Sequence, residues 1–98
     1  MTEDKRQAAI NRGARAQALL NDELLQEAFV KLEADYIKAW RESAPRDDGA
    51  REKLWLAVNI VGKVREHLVI AMTGGNLAQR EINDLVAREQ RRKVFGVV

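Results

Sequence analysis

The sequence has no cysteine, one proline, one histidine and one serine among 98 residues. Without cysteine there is no disulfide scaffold, no thiolate zinc site and no cysteine nucleophile. With His67 alone, a two-histidine metal site is excluded by count. No unbroken apolar run exceeds the one from Leu54 to Val58, far short of the ~20 residues that a membrane span requires. The opening Thr2-Glu3-Asp4-Lys5-Arg6 has no apolar run behind it, so no secretory leader is expected. A cytosolic or virion-type protein is expected. One-sided charge is lacking too, since the formal net charge is only +2, too small to demand a polyanionic partner.

What is present is helix-forming. Hydrophobic residues make up 46% and charged residues 33%, a globular composition, and a chain of this length buries roughly 65% of its extended surface in one modest core. Ala, Leu, Glu, Arg, Lys and Gln dominate, and no segment alternates with the period of a strand. The punctuation predicts an all-α chain in one domain. A helix over 3–20 has Thr2 as its N-cap, acids in its first turn and a weak point at Gly13. A second helix over about 22–43, capped by Asn21, ends where Ala44-Pro45 leaves the α region. A third, over about 50–73, is stopped by Gly74-Gly75. A fourth runs from an Asn76 cap to Lys93, and an apolar tail, 94–98, follows.

Apolar stripes join the middle two. Leu25, Phe29, Leu32, Tyr36 and Trp40 form one, and Leu54, Ala57, Val58, Val61, Val64, Leu68 and Met72 the other. Paired in antiparallel order, Trp40 with Leu54 through Leu25 with Leu68, their position numbers add to 93 or 94. The turn at 46–48 lies where that sum requires, so a long antiparallel hairpin is expected. Trp40 and Trp55 fall together at its turn end and are read as packing residues. In this register Ser43 lies opposite residue 50 or 51, out of reach of His67, so no Ser-His-acid triad can form. The carboxylates Asp22, Glu23, Glu27, Asp47 and Asp48 sit at helix starts, where capping and the helix dipole account for them. No catalytic residue, metal site or cofactor is expected.

Several apolar residues are left over from the hairpin seam. Val30, Ala34 and Ile37 form a second stripe on one helix, and Leu56, Ile60 and Ile70 lie beside the stripe of the other. With Phe95, Val97 and Val98 of the tail, they are the candidate protein interface. Charge is unevenly spread: 1–20 carry +2, 21–44 carry −3, and 76–98 carry +2. Arg88, Arg91, Arg92 and Lys93, with Arg12 and Arg15, are the candidate contacts for nucleic acid, a less favoured partner. A helix-turn-helix over 71–90 fits poorly, because Arg80, Glu81 or Asp84 would occupy its apolar anchor positions.

Arg15-Ala16-Gln17-Ala18-Leu19-Leu20, Ala28-Phe29, Ala39-Trp40-Arg41, Arg46-Asp47, Arg51-Glu52-Lys53-Leu54-Trp55, His67-Leu68 and Gly75-Asn76-Leu77-Ala78 resemble a group of small helical tailed-phage and prophage proteins, encoded among head and packaging genes. The resemblance spans about residues 12–85. It implies a non-enzymatic virion or assembly component that binds itself or larger phage structural proteins. A packaging or regulatory accessory factor for nucleic acid, or an inhibitor of a host protein, are the alternatives it implies.

Overall fold

A computed structural model describes residues 2–94, with side chains to Lys93. Three helices account for nearly all of them: α1 (Glu3–Leu20), α2 (Glu23–Glu42) and α3 (Asp48–Val94). The caps follow side-chain chemistry. Thr2 accepts from the Lys5 amide at 3.3 Å, Asp22 from Leu25 at 2.9 Å and Asp47 from Ala50 at 3.1 Å. Asn21 does not start α2 as expected; it ends α1, its backbone N–H donating to the Gln17 carbonyl at 3.0 Å while that of Asp22 donates to the Leu19 carbonyl at 3.2 Å. Asp22 is the cap instead, because its ionised carboxylate is the stronger acceptor at a helix N-terminus.

The expected stop at Gly74-Gly75 does not exist. α3 continues through both glycines for 47 residues, so the third and fourth expected helices are one and Asn76 caps nothing. Neither glycine adopts a positive φ. The reason lies in packing. A Cβ on Gly75 would come within 2.8 Å of the Gly13 Cα and 2.9 Å of the Ala9 carbonyl oxygen. A Cβ on Gly13 would meet the Gly75 Cα at 2.8 Å and the Ala71 carbonyl oxygen at 3.0 Å. Gly13 is therefore not a weak point of α1 but its point of closest approach. Ala16 and Ala78, 4% and 1% exposed, flank the crossing. Among the described residues, these two alanines and the two glycines are the only fully buried ones. Tertiary contact overrides the local tendency of glycine to end a helix.

α1 and α2 lie end to end along one side of α3. α1 packs on its C-terminal half, where Arg6 pairs with Glu81 at 2.9 Å and Gly13 meets Gly75. α2 packs on its N-terminal half, where Arg51 donates to the Ser43 hydroxyl at 3.0 Å and its guanidinium stacks 4.3 Å from the centre of the Trp40 ring. α1 and α2 themselves barely touch. The expected hairpin is thus the lower half of a longer one, with the first helix continuing the second arm. The result is a rod of 75 × 25 × 20 Å, about the length of a 47-residue helix and two helices thick.

The seam also differs in detail from the expected stripes. Leu25, Phe29, Tyr36, Leu54, Val58, Val61 and Leu68 are half-buried, whereas Leu32, Val64 and Trp40 stay exposed. A two-helix contact shields only a narrow strip of each helix, so residues at the strip's edge keep half their surface. Trp55, expected to pack, is 61% exposed.

Gly75→Ala and Gly13→Ala will each lower thermal stability, by about 1–3 kcal/mol for overpacking, although alanine is the better helix former. Thermal unfolding followed by circular dichroism checks this, and an unchanged or raised midpoint would contradict the crossing.

Candidate protein-interaction surfaces

The contact face of α3 repeats every seven residues. Leu54, Val61, Leu68, Gly75 and Ile82 form one row; Ala57, Val64, Ala71, Ala78 and Leu85 form the next. The partner arm covers most of these rows, Val64 and Leu85 staying exposed at their margin, and leaves an edge of α3 open on either side.

On one edge, Trp55 and Val58 meet Ile37, Trp40 and Arg41 of α2 around an open groove of about 280 Å³. Further along, Arg65 adjoins Gln26, Phe29, Val30 and the end of α1 at Leu19 and Leu20. Val30 and Ala34 also line a shallow depression of about 570 Å³ on α2 alone, with Glu23, Gln26, Glu27 and Lys31. Ile37, assigned to the outer stripe, is half-buried here because it leans toward Val58. Trp40 and Trp55 give this edge the aromatic character of an interface anchor.

On the opposite edge, His67 faces Ala8, Asn11, Arg12 and Arg15 of α1 across a groove of about 430 Å³. Glu81, Asp84, Leu85 and Arg88 continue that edge beside Arg6. Ile60 and Gly74 stand seven residues either side of His67, and Leu56, Lys63, Ile70 and Leu77 form the adjoining row. Ile60 and Ile70 are 59% and 58% exposed, and Leu56 and Leu77 are exposed with them. The candidate interface residues therefore divide between two faces: Val30, Ala34 and Ile37 on one, Leu56, Ile60 and Ile70 on the other. Phe95, Val97 and Val98 lie outside the described residues.

Leu77 and Trp55 belong to these faces and were not among the candidates. The seven-residue step from Ile70 points to Leu77, but a helix end at Gly74-Gly75 hides that step. Trp55 carries no comparable signal, because an aromatic beside a turn fits a packed role equally well.

The basic candidates do not form one patch. Arg12 and Arg15 sit by His67, while Arg88, Arg91, Arg92 and Lys93 lie about 25 Å farther along the rod. Arg92 pairs with Glu89 at 3.4 Å. No turn interrupts 71–90, so this stretch is not a helix-turn-helix. Among the described residues no group of three or more His, Asp or Glu side chains is placed to hold a metal ion. No described helix is long and apolar enough to cross a membrane. The Ser43 hydroxyl donates to the Trp40 carbonyl at 2.6 Å, and His67 sits about five turns further up α3. No protein-family model, curated protein or solved structure matches the chain.

Both indole rings are open to solvent in the isolated rod, Trp55 more than Trp40. Acrylamide will quench Trp55 emission more strongly in a Trp40→Phe chain than it quenches Trp40 in a Trp55→Phe chain. Equal, weak quenching in a chain of monomeric mass would contradict this edge.

Proposed function

We propose that this chain is a non-enzymatic, oligomeric assembly protein that works through protein–protein contacts, the role implied by its resemblance to small tailed-phage proteins. One observation carries the reading. The chain exposes 8063 Å², against about 5,700 Å² for a compact folded monomer of 11.1 kDa. Its radius of gyration is 21.5 Å, against about 13 Å for a compact domain of this length. Among the described residues no large side chain is fully buried, so the isolated rod lacks the ~1.5–3 kcal/mol that each buried Leu, Ile or Phe supplies. Such a chain gains most of its stability by covering its faces with other protein.

The nucleic-acid alternative has less behind it, because the two basic clusters are far apart along the rod. The function test is solution mass by light scattering of the intact chain. A stable, salt-insensitive oligomer is expected. Combined Val30, Ile37, Leu56 and Ile70 substitutions to polar residues will dissociate it while leaving the far-ultraviolet helical signal intact. A monomer at every concentration, or an oligomer indifferent to the substitutions, would overturn the reading.

A further inference from the structure

We propose that the α3 face carrying Leu56, Ile60, His67, Ile70, Gly74 and Leu77 is covered by a second copy of this chain, stacked antiparallel about a two-fold axis at His67. The inference rests on the assembly reading and gives it a partner, a face and a register.

Gly74 supplies the first argument. Unlike Gly75, it has no reason within the chain to be glycine: its backbone is helical, and a Cβ added there would meet nothing within 4 Å. Glycine in a helix interior weakens the helix and lets a neighbour's backbone come close; Gly62, seven residues from Trp55 and from Val69, is equally open, so the pairing and charge of the row choose this face. Gly74 is a notch between Ile70 and Leu77, and nothing in the isolated rod fills it.

The row is complementary to itself. Leu56, Ile60, Lys63, His67, Ile70, Gly74 and Leu77 are spaced alternately by four and three residues. Turned end for end about His67, the row sets Ile60 against the second copy's Gly74 and Leu56 against its Leu77. Lys63 lays its methylene stem along Ile70 of the second copy and keeps its ammonium at the rim. A two-fold contact makes each pairing twice.

Charge selects the antiparallel stack. Because α1 and α2 lie end to end on the same side of α3, the same rotation places α1 of each copy over α2 of the other. On this edge α1 presents Lys5, Arg12 and Leu19, seven residues apart, the last two lining the His67 groove, with Leu19 at the helix end reaching the other edge as well. The opposite edge of α2 is taken by Gln26, Val30 and Ile37, which leaves Ala28, Asp35 and Glu42, also seven apart, on this one. The rotation brings Lys5 to Glu42, Arg12 to Asp35 and Leu19 to Ala28. A parallel stack would instead set like charges over like, a repulsive arrangement. The uneven spread of charge, +2 over 1–20 and −3 over 21–44, thereby acquires a use.

The area fits as well. The rod exposes about 2,400 Å² more than a compact chain of its mass, and obligate dimers bury about 1,000–2,500 Å² per subunit.

The absence of cysteine makes the register directly readable. In a His67→Cys chain, mild oxidation will join two copies through their thiols. Asp48→Cys will not cross-link, since its symmetry mate would lie about 57 Å away. Gly74→Ala, which on helix propensity alone would strengthen the fold, will weaken dimerisation roughly tenfold by filling the notch. Arg12→Asp and Asp35→Arg will each weaken it roughly two- to fivefold, and the double variant will restore it. Within one chain these residues are about 24 Å apart, so only a second copy can couple them. An oligomer in which His67→Cys fails to cross-link and Gly74→Ala has no effect would overturn this register and leave the assembly reading standing. A chain that stays monomeric at every concentration would overturn both.

Discussion

Everything in this fold depends on two helices being allowed to touch backbone to backbone at Gly13 and Gly75. With either position occupied by a Cβ, α1 would have to move off α3 by about 1 Å to restore ordinary carbon–carbon contact, because the obstructing atoms are main-chain atoms that cannot rotate away. The close approach brings Ala9, Ala16, Ala71 and Ala78 into the same seam. Small residues there turn helix pairing into a contact of backbones, stabilised by many short-range dispersion contacts. The glycines cost helix propensity, and the contact they permit offsets it. α3 accordingly stays helical where its local sequence favours an end.

That choice has a consequence for the rest of the molecule. A seam of glycine and alanine buries little apolar area, so α1 adds length to the rod without adding a third layer. With α1 and α2 in line rather than side by side, each stretch of α3 has one neighbour. The large apolar side chains, Leu56, Ile60, Ile70 and Leu77 on one edge and Trp55 on the other, are left facing outward. Architecture and proposed function share this one cause. A compact three-helix bundle would use those residues as core; an end-to-end arrangement keeps them for other subunits.

The hairpin was legible in the sequence because its signals agree: Pro45 with Asp47 and Asp48 at the turn, and two stripes whose numbering mirrors across it. The third element was misread for an equally physical reason. Two consecutive glycines are a strong local stop signal for a helix, yet the seven-residue row through Leu54, Val61, Leu68, Gly75 and Ile82 runs across them unbroken. Reading the row over the dipeptide would have joined the two segments and made Gly75 a contact rather than an end. Gly13 was misjudged likewise, since nothing in α1 alone says what opposes it. At the candidate surfaces, Val30, Leu56, Ile60 and Ile70 were legible as apolar residues surplus to the seam. Their division between two edges was not, because it depends on where α1 lies.

The most direct test of the account is the distance between spin labels placed at Glu66→Cys and Ala87→Cys, diluted with unlabelled chain. Both sites are exposed and flank the double glycine on the side of α3 away from the seam. A single narrow distribution at about 32 Å, the rise of 21 residues of uninterrupted helix, is the result expected. A broad or much shorter distribution would show that the helix breaks at Gly74-Gly75, and would contradict the rod.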